Sequence, residues 1–191
     1  MVLRLGRAKP IAGELVENRI VVWNIGDSQK LFADGFYGKP LGVSKPKGAN
    51  FDSPLILDLM EGYYLVKTGR IEIYRGATGR KVLLKGLDKI CRSEYIDFEE
   101  KILVYMRLRE AGFIVTPGIK FGCDFAVYEH GPGIDHAPYL VQVQKPEDSV
   151  TATSIVLSGR LATTVRKQFI VAEADVSAKM VEFLSFDWWR A

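Results

Sequence analysis

Cysteine and histidine are scarce in this chain, and so is any excess of charge of one sign. It has two cysteines, Cys91 and Cys123, and two histidines, His130 and His136, with no CxxC or HxxxH pair. Two cysteines and two histidines could compose a zinc site on paper, but such sites carry paired ligands at short spacing. The thiols therefore read as reduced and buried, and neither a metal nor another cofactor is expected. No apolar run approaches the ~20 residues that cross a bilayer. The opening "MVLRLGRAKPIAG" lacks the apolar core of a secretory signal, so a soluble, cytoplasmic protein without a membrane partner is expected. Net charge is only +3 over 191 residues, which permits an RNA-binding face without requiring one. Internal repeats and low-complexity tracts are also missing.

What remains is ordinary globular composition, 48% apolar and 26% charged, enough for one large domain or two small ones. In the first half, "RIVVWNIG" and "YYLVKTGRIEIYRGATGRKVLL" alternate β-branched and aromatic residues with polar ones between glycines, and predict strands joined by hairpins. Between them "SPLILDLMEG" predicts a short helix, with Ser53 as N-cap, Pro54 at the first helical position and Gly62 as the stop.

"DFEEKILVYMRLREAG" predicts a longer helix. Asp97 and Glu100 have the spacing of a capping box, Phe98, Ile102, Tyr105 and Met106 share a face, and Gly112 ends it. Strands follow on either side of Pro117-Gly118 and in "APYLVQVQ", then a helix in "SVTATSIVLSGRLATTVRKQ", then two closing strands. The expectation is an α+β (or α/β) chain of two domains. The first, 1–94, is a small antiparallel sheet with helices; the second, 95–191, is a mixed sheet flanked by helices.

Both histidines stand in a glycine-rich corner beside Tyr128. His130 follows Tyr128 by two, so on a continuing strand their side chains point the same way. His136 lies past "GPGID" and directly before "APYLV", where an exposed imidazole suits proton transfer. A surface histidine with no task is the competing reading for each. Arg160 and Lys167, seven apart on a predicted helix, would share a face with Thr163 and Thr164 between them, as a phosphate cradle or as plain solvated surface. A base, an acid and a cation around one ribonucleotide would let the 2′-OH attack its own phosphodiester without a metal. Each acid–base partner is worth roughly 10²–10⁴-fold. Tyrosine, with a pKa of ~10, would need activation as a base by a neighbouring cation such as Lys167.

"GIKFGCDFAVYE", "HAPYLVQV" and "RLATTVRKQFIVA" resemble the catalytic domain of archaeal tRNA-splicing endonucleases, and the resemblance runs from the "DFEEKILVYMRLREAGF" helix to the chain end. It implies a metal-independent, lyase-type endoribonuclease that cuts precursor tRNA at bulge-helix-bulge junctions, leaving 2′,3′-cyclic phosphate and 5′-OH ends. It implies Tyr128 as general base, His136 as general acid with His130 a bystander, and Lys167 as the transition-state cation. It also implies that Arg160 stacks on a bulged base, with Trp188 favoured over Trp189 as the second face.

Two cuts need two sites, so a homotetramer or a heterotetramer with a structural subunit is expected. "AEADVSA", with Glu173 and Asp175, is either a loop that enters a partner's basic pocket or an ordinary hairpin turn. A structural subunit without catalysis would share the fold but lack a member of the Tyr–His–Lys set, and a generic RNA-binding module would have no use for that set. The loop "VSKPKGANFDSP" resembles a basic loop of the crenarchaeal branch, which would bring Lys45 or Lys47 to a phosphate.

Overall fold

The computed structural model describes residues 9–44, 46, 48–149 and 151–186. These gather into two compact units, residues 9–44 with 48–94, and residue 46 with 95–186. Each unit is a mixed sheet with helices against it, the α+β class the sequence predicts.

In the first unit β1 (Ile11–Val16) and β2 (Arg19–Val22) form a hairpin. The strand read through "RIVVWNIG" stops at Val22, because Asn24 accepts the Asp27 N–H at 2.9 Å and caps a helix, α1 (Ile25–Gly35). Ser28, fully buried, pins α1 to the sheet: its hydroxyl donates to the Val22 carbonyl at 2.8 Å and accepts the Leu55 N–H at 3.2 Å. Next come β3 (Lys39–Pro40), β4 (Leu55–Leu57) and α2 (Leu59–Lys67).

The helix expected from Ser53 is thus a strand followed by a helix that starts later. Asp58 and Glu61 form the capping box, and the Ser53 hydroxyl has no hydrogen-bond partner. A cap of this kind is worth about 1 kcal/mol, and here Glu61 also accepts the Gly38 N–H at 2.9 Å. Gly62 is interior to α2, where a Cβ would collide with the buried Ile20; it allows close helix–sheet packing and stops nothing. "YYLVK", read as strand, belongs to α2 as well. β5 (Ile71–Arg75) and β6 (Arg80–Val82) make the expected hairpin. α3 (Leu84–Glu94), which no sequence signal had marked, buries Leu87 and Cys91. The sheet order is β3-β4-β2-β1-β5-β6; its pairs are antiparallel except β1–β5, which is parallel, so the sheet is mainly antiparallel as expected.

The second unit opens with α4 (Phe98–Glu110). Its expected capping box does not form. Asp97 has φ +55° and makes no side-chain cap bond; its carboxylate pairs with Lys145 at 2.7 Å instead. The apolar face is as predicted for Phe98, Ile102 and Tyr105, with Met106 half-buried. Then follow β7 (Ile114–Pro117), a 3-10 turn at Ile119–Phe121, β8 (Phe125–Tyr128), β9 (Tyr139–Gln144), α5 (Ala152–Thr164), β10 (Gln168–Asp175) and β11 (Met180–Ser185). The sheet order is β11-β10-β9-β8-β7, with β9 and β10 the parallel pair, joined through α5 as a parallel crossover requires. α4 packs on this sheet, and its buried Arg109 donates to the Tyr105 hydroxyl at 3.0 Å and the Val115 carbonyl at 3.1 Å. No helix of the described residues is long and apolar enough to cross a membrane.

Candidate active site

Strand topology brings Tyr128, His136 and Lys167 to one end of the second sheet. β8 finishes at Tyr128, and the antiparallel β9 begins at Tyr139, so residues 129–138 form the connection at that end. β10 starts at Gln168, opposite Tyr139 in parallel register, and the Gln168 N–H donates to the Pro138 carbonyl at 2.8 Å. Lys167 therefore precedes β10 at the end where β8 closes and β9 opens.

Side-chain contacts tighten this grouping. The Lys167 ammonium donates to the carbonyl of Ala137, the neighbour of His136, and stands 5.2 Å from the centre of the Phe121 ring, within cation–π range. Ala137 lies in a buried cluster with Ala126, Leu140, Phe169 and Val171, and Tyr128 and Phe121 pack against the same cluster. His136 is exposed at the rim.

Burial shifts the Tyr128 phenol and the Lys167 ammonium in opposite directions. Burial pushes the Tyr128 phenol above its ordinary value of 10; the nearby Asp135 charge adds to this, and a hydrogen bond with Thr116 works against it. The raised value runs against the expectation that Lys167 activates the phenol. Burial pulls the Lys167 ammonium below its usual value, and Asp135 partly restores it. One carboxylate thus acts on both groups, and sequence reading had passed it over. Its only signal was its place between "GPGI" and His136.

Other expectations change once the chain is folded. β8 does not continue to His130, which sits in an exposed bend with Nδ1 3.6 Å from Asp135. Lys167 is not on the helix of Arg160, because α5 ends at Thr164 and Arg166 has φ +55°. Nor do the threonines offer a phosphate cradle. Thr163 donates to the Gly159 carbonyl at 2.7 Å and Thr164 to the Arg160 carbonyl at 2.8 Å, so both hydroxyls are turned back on their own helix. Arg160 itself is exposed on α5. Asp175 closes its own hairpin turn, accepting from the Ser177 hydroxyl at 2.6 Å and the Ala178 N–H at 2.8 Å. Trp188, Trp189, Lys45 and Lys47 lie outside the described residues. Cys91 is buried and Cys123 half-buried. Burial pushes their thiols up to about 12 and about 11, which leaves little thiolate for metal binding or nucleophilic attack near neutrality. Among the described residues no three His, Cys, Asp or Glu side chains group as metal ligands.

The arrangement supplies an exposed imidazole, a half-buried phenol and a desolvated ammonium fixed beside the imidazole's own backbone. Comparison with known proteins places the whole chain in one family. Residues 98–181 match the family model described as tRNA intron endonuclease, catalytic C-terminal domain, and residues 11–83 match the tRNA intron endonuclease N-terminal domain. The chain is 40% identical over 178 residues to a tRNA-splicing endonuclease of Hyperthermus butylicus, covering 93% of this chain and 98% of that one. It is also 40% identical over 179 residues to one of Sulfurisphaera tokodaii, with the same coverage. A third similar protein, the tRNA-splicing endonuclease of Saccharolobus solfataricus, is 38% identical over 175 residues, 91% of this chain and 96% of its own length.

Proposed function

Because the chain belongs to the tRNA intron endonuclease family and matches both of its domains, we propose that it excises introns from precursor tRNA by cutting bulge-helix-bulge junctions. The catalytic domain is residues 95–191, and residues 1–94 form the N-terminal domain. The Tyr128 phenolate takes the proton of the ribose 2′-OH, and O2′ attacks the adjacent phosphorus. The bond from phosphorus to O5′ breaks as His136 passes its proton to O5′. Lys167 offsets the charge that gathers on the phosphorane. The products are a 2′,3′-cyclic phosphate and a 5′-OH; no water enters, which makes the step a lyase reaction. Each proton has a side-chain donor or acceptor, so neither a metal nor another cofactor is needed.

The observation that carries this reading is the bond from the Lys167 ammonium to the carbonyl next to His136. It anchors the cation beside the acid, in the cluster that also supports Tyr128. The raised Tyr128 pKa sets a condition on the mechanism. Burial holds the phenol protonated more firmly than in water, so acting as a base requires that bound RNA or a neighbouring cation favour its ionised form.

The substrate is recognised by the shape of the paired RNA and by splayed bases, as RNA generally is. Arg160 supplies one face for a bulged base and Trp188 the other, with stacking worth about 1–3 kcal/mol. Two cuts require two sites, and the assembly is a homotetramer or a heterotetramer with a structural subunit. β11 supports an association of this kind. It is an edge strand of its sheet and carries exposed Met180, Phe183 and Leu184, an apolar edge of the sort that subunits cover.

The test is cleavage of a bulged RNA by the purified chain, alone and with candidate structural subunits, in EDTA. Cyclic phosphate and 5′-OH ends are expected. A linear 3′-phosphate formed first, or activity lost in EDTA and restored by magnesium while the RNA stays folded, overturns the proposal.

A further inference from the structure

Asp135 has no assigned part in the reaction above, yet its carboxylate accepts three backbone N–H groups. Its Oδ2 accepts the N–H groups of Glu129 at 3.2 Å and His130 at 3.0 Å, and its Oδ1 accepts the Gly131 N–H at 2.8 Å. The loop closes a second time through the Ile134 and Asp135 N–H groups, which donate to the Gly131 carbonyl at 3.0 and 3.1 Å. Gly131 has φ +125°, a conformation that favours glycine. Burial alone would raise the Asp135 carboxyl, but the bonds from His130, Gly131 and Glu129 outweigh it and hold its pKa below the ordinary 3.8.

We infer that Asp135 is a positioning residue. By gathering three backbone N–H groups onto one carboxylate, it sets the segment between Tyr128 and His136 in a single shape. His136 then leaves the loop at the point where Ala137 holds Lys167. Without that carboxylate the three donors lose their shared acceptor, residues 129–135 open, and the imidazole is delivered over a range of positions. A misplacement of about 1 Å at a reacting group costs on the order of 10²-fold. This inference rests on the reading of His136 as the general acid.

Asp135→Asn is the test, since the amide nitrogen cannot accept and so leaves at least one N–H unmatched. Its single-turnover rate at saturating RNA is expected to fall by about 10–100-fold, with the RNA dissociation constant changed less than about threefold. Hydrogen exchange should accelerate at Glu129, His130 and Gly131 but not in β8 or β9. Gly131→Ala strains the same loop while keeping the charge, and should slow cleavage with the same exchange signature; it serves alone if Asp135→Asn does not fold. His130→Ala keeps its backbone N–H and should cleave normally. A normal rate in a variant whose loop amides exchange fast overturns the inference, as does a slow Asp135→Asn beside a fully active Gly131→Ala. Retained activity in His136→Ala would instead overturn the catalytic assignment on which it rests.

Discussion

Lys167 donates its ammonium proton to the carbonyl of Ala137, so the cation and the backbone of the neighbouring His136 are one mechanical unit. Preformed charge of this type lowers a barrier because nothing has to reorganise as charge develops.

Lys167→Ala is therefore expected to reduce the single-turnover rate by about 10²-fold or more, the scale of a lost transition-state donor. RNA affinity should fall much less, because the ammonium is half-buried and one of its protons is committed to Ala137. The comparison is rate at saturation against dissociation constant. A variant that binds far more weakly but cleaves normally at saturation would make Lys167 a binding residue.

The two histidines separate in the same assay. His136 stands beside the anchored Ala137, whereas His130 lies in an exposed bend and touches Asp135 only at 3.6 Å. His136→Ala should abolish cleavage, and His130→Ala should leave it nearly intact. Equal losses would reverse the assignment.

Acid should loosen the loop between them. Folding lowers the Asp135 pKa below 3.8, so the unfolded chain takes up the proton more readily as pH falls. The stabilising contribution of the carboxylate is complete above the ordinary carboxylate range and is lost as pH falls through the folded-state value. The Glu129, His130 and Gly131 amides should stay protected at pH 5 and lose protection, relative to β9, below about pH 4. In Asp135→Asn that acid-dependent step should disappear. Persistence of the step in the variant would assign it to another group.

Much of the second unit was legible from local signals, because its strands and helices alternate with clear stops. Gly112 ends α4, Pro117-Gly118 breaks β7, and the strands around Tyr128 and after His136 carry plain β-branched patterns. The first unit was harder to read. "RIVVWNIG" is strand-like to its end, and only the Asn24 side-chain bond to Asp27 turns it into a helix. At Ser53 and Asp58 two capping signals compete. Asp58 wins because Glu61 returns the bond and Ile20 needs a glycine at Gly62. In the site, the resemblance of three sequence blocks to a known family marked Tyr128, His136 and Lys167, whereas the residues by themselves left the histidines and the basic face open. The role of Asp135 comes from a folded loop that converges three N–H groups on it, which linear spacing does not encode. Arg160 and Lys167 were placed on one helix by counting, and a left-handed residue at Arg166 was enough to separate them.

The last expectation concerns Lys45 and Lys47. Pro46, which lies between them, groups with the second unit, and a Cβ at Gly133 would come within 3.0 Å of its carbonyl. Gly133 belongs to the loop that leads to His136, so Pro46 itself lies against that loop. We propose that Lys45 or Lys47 reaches a phosphate near the cleavage site. A lysine presents a point charge on a flexible stem and does not demand one RNA geometry, unlike the planar fork of arginine. It would hold irregular bulges that fit the stacking residues poorly, positioning the backbone without reading bases. Replacing both lysines with alanine should therefore slow cleavage of irregular bulged RNAs more than regular ones. It should also reduce the steepness with which binding weakens as salt is raised, since fewer counterions are displaced. The measurement is single-turnover cleavage of the two RNA classes, with binding followed across a salt series. Equal rates for wild type and the double variant on both classes would leave this segment a spacer.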